Sequence, residues 1–140
     1  MQALGRLRDP AAVAAIANYL AGPTEFSDGN WLYEYAALQL ANLGDAGVAA
    51  LLDALAKTKD PERRRAIAEG ISHSSGARAL EALRAIAADT NDDPEVRAVA
   101  IRILPDLEGE AAAGYLKRLL ASEPDARIRR LLNFTLHDRY

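Results

Sequence analysis

The 140-residue chain reads as all-α, a solenoid of about four stacked antiparallel helical hairpins, and three observations predict it. Alanine, the best helix former, dominates the hydrophobic half of the composition, while valine and threonine are too sparse for sheet. Apolar residues recur at i, i+3, i+4 and i+7 in four separate stretches, each of which therefore makes an amphipathic helix. A short helix-start pattern also occurs three times, as Asp60-Pro61-Glu62-Arg63-Arg64, Asp93-Pro94-Glu95-Val96-Arg97 and Glu123-Pro124-Asp125-Ala126-Arg127. Each copy offers an acid to cap a helix, a proline for its first turn and a second acid near its positive end. Matching starts at regular distances mean a repeat.

Taken in order, Gln2 to Leu7 reads as the last turns of a partial helix over 1–7. Asp9-Pro10 then opens the first full helix, with Val13, Ile16, Ala17 and Leu20 on one face. The same face returns as Val48, Leu51, Leu52, Leu55, then Ala79, Ala82, Leu83, Ile86, then Ala112, Tyr115, Leu116, Leu119. These are the A helices. The B helices, opened by the repeated start, are expected over 61–72, 94–104 and 124–138, and 31–42 completes the set. Gly44-Asp45, Ser74 to Gly76 and Pro105 to Gly109 separate each B helix from the next A helix, and Pro105 is expected to end its helix near Leu104. The repeats are thus expected over approximately 9–42, 45–73, 76–105 and 108–138 of a single domain, 1–140. With only two turns before Asp9, the first A helix lacks a full neighbour, so repeats upstream or a second subunit are expected against it.

The intervals support stacking. From Ala36, Ala66 and Val99 to Val48, Ala79 and Ala112 the steps are 12, 13 and 13 residues, nearly constant. From Ala17, Leu52, Leu83 and Leu116 to Trp31, Pro61, Pro94 and Pro124 they are 14, 9, 11 and 8. Stacked hairpins behave this way because length changes collect in the loops along one edge.

Residues 1–60 hold 4 Lys/Arg against 7 Asp/Glu, and residues 61–140 hold 13 against 13. Nucleic-acid binders draw most of their affinity from neutralising phosphates with a basic surface, and this balance argues against one. The absence of cysteine excludes disulfide and thiolate chemistry. No apolar run approaches the roughly 20 residues that cross a bilayer, and Gln2 to Pro10 carries charges where a signal peptide is apolar. A soluble cytoplasmic protein without membrane contact is expected.

Ala3-Leu4-Gly5-Arg6-Leu7-Arg8-Asp9-Pro10-Ala11-Ala12-Val13 resembles the B-to-A junction of HEAT-like repeats, the short bacterial kind named after phycobilisome lyases. Asp93-Pro94-Glu95-Val96-Arg97-Ala98-Val99-Ala100 is similar to the same family's B-helix opening. The resemblance covers essentially the whole chain and implies a right-handed superhelix. It also implies a structural ladder of Asp60, Asp93 and Glu123 with Arg64, Arg97 and Arg127, from which the first repeat departs with Glu34 at the arginine position. Such repeats serve many unrelated tasks. The resemblance further implies that B helices line the surface that meets partners.

On that surface the repeat places Tyr35, Leu38 and Gln39, then Arg65, Ala68 and Glu69, then Ala98, Ile101 and Arg102, continued by Ile128 and Leu132. With Trp31 and Tyr33 from the aromatic segment, the candidate partner-binding set is Trp31, Tyr33, Tyr35, Gln39, Arg65, Glu69, Ile101 and Arg102. It is mixed, with a modest apolar stripe, and suits a protein or peptide. Tyr19, Phe26, Trp31, Tyr33 and Tyr35 are five of eight aromatics within seventeen residues, around the long loop from Gly22. Such a cluster either recognises a ligand or anchors the loop on the end of the stack, and anchoring is the commoner role.

Arg63-Arg64-Arg65 and the arginines at 127, 129 and 130 are interleaved with acids and read as an ion-paired, solvated surface. Glu69 and His73, at i and i+4, lack a third metal ligand, so no metal or cofactor is expected and His73 reads as a helix-end residue. Ser72, Ser74 and Ser75 beside His73 have no catalytic frame, and glycine-rich phosphate loops are absent. Gly70 within a B helix suggests close approach of a neighbouring helix. The expectation is therefore a non-enzymatic scaffold or adaptor for a protein or peptide. The alternative is a bilin-lyase-like subunit whose tyrosines and Trp31 handle a chromophore or its carrier; a HEAT-like DNA glycosylase fits the charge balance less well.

Overall fold

A computed structural model describes residues 10–21, 30–74 and 76–140. The expected partial helix at 1–7, the loop from Gly22 with Phe26, Ser75 and the Trp31 side chain lie outside what is described. Among the described residues there are eight α-helices and no strand: α1 (Pro10–Ala21), α2 (Asn30–Ala41), α3 (Asp45–Lys57), α4 (Pro61–Ser72), α5 (Ala77–Ala88), α6 (Pro94–Glu108), α7 (Glu110–Ser122) and α8 (Ala126–Arg139). A and B helices alternate as the spacing predicts. The chain falls into two compact units, Met1–Ala79 and Leu80–Tyr140.

In the first unit α1 packs on α3 and α2 on α4, A against A and B against B, while α1·α2 and α3·α4 form the hairpins. This is the construction of an α-solenoid. Its core contains Ile16, Leu20, Leu40, Leu51, Ile67 and Ile71, all essentially inaccessible. Burying each such side chain favours folding by roughly 1.5–3 kcal/mol. Two glycines set how closely the helices meet. A Cβ on Gly47 would overlap the carbonyl oxygen of Leu40, and one on Gly70 would lie 2.9 Å from both Cβ and O of Ala37. Gly70 thus brings α4 against α2, as its place within a B helix suggests.

In the second unit α6 packs on α8 and both pack on α7, around Leu83, Ile101, Leu104, Leu116 and Leu132. Tyr115 of α7 reaches back to α5, its hydroxyl donating to the Arg84 carbonyl at 2.5 Å, with the Arg84 guanidinium 5.3 Å from its ring centre. Burial pushes the Tyr115 phenol above its ordinary value. Pro105 does not end its helix: α6 runs on to Glu108. The proline removes only its own N–H, close to the helix end, while its carbonyl accepts from Gly109 N at 2.9 Å and Glu108 pairs with Arg84. Gly109 then caps α6 and begins α7 at once.

The repeated starts cap their helices through their acids. Asp60 accepts from Glu62 N at 3.3 Å and Asp93 from Glu95 N at 2.9 Å, each with its proline in the first turn. The third copy is displaced. Its cap is Asp125, which accepts from Arg127 N at 2.8 Å and Ile128 N at 3.3 Å, so α8 starts at Ala126 and Pro124 lies before it. The residue four beyond each cap is then Arg64, Arg97 and Arg129, not Arg127. All three turn back on the A-to-B turn of their own hairpin: Arg64 Nη1 donates to the carbonyls of Leu55 and Thr58, Arg97 Nε and Nη2 to that of Ala87, and Arg129 Nη1 to those of Glu123 and Pro124. Arg127 is exposed and reaches only Asp125, at 3.6 Å.

Glu123 is free of capping duty because Arg97 claims it. The guanidinium meets both carboxylate oxygens, Nη1 at 2.8 Å from Oε2 and Nη2 on Oε1, and both side chains are 1% exposed. The Arg97 hydrogen bond, acting against burial, holds the Glu123 carboxyl below the usual carboxylate range. The same hydrogen bond raises Arg97. This rung ties the third hairpin to the fourth. Among the described residues no helix is long and apolar enough to cross a membrane.

Candidate functional site

The B-helix sequence of the first hairpin divides by helical position. On α2, Tyr33, Ala36, Ala37 and Leu40 follow i, i+3, i+4, i+7 and are buried, which leaves Glu34 and Leu38 exposed and Tyr35 and Gln39 half-buried. On α4, Ala66, Ile67, Gly70 and Ile71 are buried, whereas Arg65 is exposed and Glu69 half-buried. Where the outer edges of these helices face each other, Glu34, Tyr35, Leu38, Glu69, Gly70 and His73 line a groove of about 420 Å³. Gly70 keeps it open along one side, because it brings no side chain of its own. The Tyr35 ring and Leu38 supply apolar surface, and two carboxylates and an imidazole supply polarity.

The expected binding residues separate into three groups. Tyr35 and Glu69 come together in the groove, with Arg65 exposed one turn before Glu69 and Gln39 one turn beyond Tyr35. Arg102 is exposed on α6, in the other unit. Tyr33 and Ile101 are not on the surface: they are 2% and 0% exposed. Tyr33 lies with its ring centre 5.7 Å from that of Tyr19 and the Arg63 guanidinium 4.9 Å above it, so it anchors α2. Ile101 belongs to the core, as do Ala68, Ala98, Ile128 and Leu132 of the expected B-helix surface. Trp31 is in the first turn of α2.

Glu34 and His73 join the groove without having been expected there. Their signal was the i, i+4 spacing of Glu34 with Leu38 and of Glu69 with His73, on the faces left over by the buried positions. His73 is the C-cap of α4, its N–H bonded to the Glu69 and Gly70 carbonyls, and no metal-binding cluster occurs among the described residues. The arginine run is not a solvated surface throughout. Arg63 is buried over Tyr33 and Arg64 binds carbonyls of its own turn, leaving only Arg65 outward.

A second groove, of about 400 Å³, lies between the A helices α1 and α3. Alanines make most of its wall, with Val13, Asn18, Asp53 and Lys57. Nothing in the hydrophobic periodicity points to it.

A family model of HEAT repeats matches residues 26–93, and one of the PBS lyase HEAT-like repeat matches residues 1–22. Together these matches take in more than half of the chain. Comparison with curated proteins and with solved structures yields no match.

Proposed function

We propose that this chain, which belongs to the HEAT-like repeat family, is a non-enzymatic scaffold or adaptor that holds a protein or peptide partner against its B helices. The α2/α4 groove carries this reading. It is long in the direction of the helices and combines an aromatic and an aliphatic side chain with fixed polar groups, the mixture found at the centre of protein interfaces. Sites on stacked helices also need no rearrangement of backbone to receive an extended segment. A photo-crosslinking residue placed at Leu38 should capture a discrete partner in the native cell, and one placed at Asp53 on the A side should not. Equal capture from both faces, or from neither, counts against the reading.

A second reading has one observation in its favour, the match of residues 1–22 to the PBS lyase HEAT-like repeat. Under it the chain is part of a bilin-lyase-like protein and presents a chromophore or its carrier. Absorption titration with a linear tetrapyrrole separates the two, since a scaffold without chromophore business leaves the spectrum unshifted.

A further inference from the structure

We infer that the occupant of the α2/α4 groove is a basic peptide segment, one of whose lysine or arginine side chains is held by Glu34 and Glu69. The inference rests on the reading that this groove receives a polypeptide, and it adds the chemistry of the occupant.

Glu34 and Glu69 come from different helices and line one groove, so their carboxylates face a shared space. Neither carboxylate has a hydrogen bond or ion pair among the described residues, although ion pairs elsewhere are made: Arg84 with Glu108, Arg139 with Asp106, Arg97 with Glu123. Arg65 stands one turn before Glu69, a spacing that permits pairing, yet forms no ion pair with it. In this hairpin the position four residues into the B helix, which is arginine in the other three repeats, is Glu34. The inward-turning cation of that position is replaced by an outward acid. Residues 1–60 are acidic in balance as well, with 7 Asp/Glu against 4 Lys/Arg.

The remaining lining fits the rest of such a side chain. Lysine and arginine have long apolar stems that pack on hydrophobic surface while the charged head stays polar. Leu38 is 37% exposed and offers that surface. The Tyr35 ring offers a face that attracts a cation. The glycine at position 70 leaves room where any larger side chain would enter the groove. An acidic or phosphorylated segment would meet two carboxylates, and a wholly apolar one would cover them without compensation.

The test is selection of a random linear peptide library displayed on phage against the full chain, followed by synthesis of the selected peptides and fluorescence-anisotropy titration. Selected peptides should share lysine or arginine at one position. Their affinity should fall about tenfold with Glu34→Gln or Glu69→Gln, in line with the loss of one charge-assisted hydrogen bond, and should weaken with added salt. Both glutamates contact solvent, and circular dichroism melts check that the variants stay folded. Peptides that lose binding with Tyr35→Ala and Leu38→Ala but carry no shared basic residue, or ignore both glutamine variants, overturn this inference and leave the groove as a peptide site. Absence of any peptide sensitive to Tyr35→Ala or Leu38→Ala overturns the inference together with the reading beneath it.

Discussion

Arg97 and Glu123, 26 residues apart, form a two-point ion pair from which water is excluded, each side chain 1% exposed. The Ala87 carbonyl takes the Nε and a further Nη2 bond, so the guanidinium is held by its own hairpin and by the next one. Removing one partner should cost far more than removing both. Glu123→Ala leaves a buried cation and should lower stability by about 3–5 kcal/mol, whereas the pair Arg97→Met with Glu123→Leu should be near neutral. Urea unfolding of the three proteins checks it.

The same pair makes stability depend on acid. Glu123 is held below its ordinary value in the folded chain, so it contributes stability that is fully present above the usual glutamate range and is lost as pH falls through the depressed folded value. Urea midpoints should therefore drop steeply below about pH 4. Glu123→Gln should be less stable at neutral pH and flatten that drop.

The start of α8 is assigned to Asp125 by its bonds to Arg127 N and Ile128 N. Asp125→Ala should lose about 1 kcal/mol and Asp125→Asn much less. Replacing Pro124 by alanine should have little effect, because it lies outside the helix, while Pro94→Ala alters the first turn of α6 itself. Thermal unfolding by circular dichroism distinguishes them.

Alanine at 47 or 70 raises helix propensity by about 1 kcal/mol and still should destabilise. Overpacking costs roughly 1–3 kcal/mol, and at Gly47 the obstacle is the Leu40 backbone, which cannot rotate away. Gly47→Ala should be the worse of the two, since Gly70→Ala meets Ala37 at 2.9 Å and needs a smaller shift. Chemical denaturation measures both.

The helices themselves were legible because capping acids, prolines and apolar periodicity are local signals. The span expected for α4, 61–72, coincides with Pro61–Ser72. The third helix start was misread by two residues for a reason that no local pattern contains: Glu123 and Asp125 are both able to cap, and Arg97 decides between them from the preceding hairpin. Pro105 was over-read in the same way, since the bonds that carry α6 past it come from Gly109 and Arg84.

Of the candidate site, the sequence exposed the right pair of helices and misjudged which sides of them are open. A helix in a stack has neighbours on more than one side, so Ile101 and Ala98 are buried along with the stripe that periodicity identifies. Tyr33 and Tyr35 are two residues apart in an aromatic cluster that looked uniform. One is 2% exposed against Tyr19 and Arg63, and the other lines a groove.

Gly109 alone separates α6 from α7. Adding a residue there would rotate everything after it by about 100° around the helix axis, because an α-helix has 3.6 residues per turn, and the apolar stripe of α7 would leave its seat. The turn from Asp89 to Asp93 imposes no such phase, since α6 is capped afresh by Asp93. A foreign loop or tag grafted between Thr90 and Asp92 should leave the helices in register, which makes that turn the place to splice new sequence into this protein.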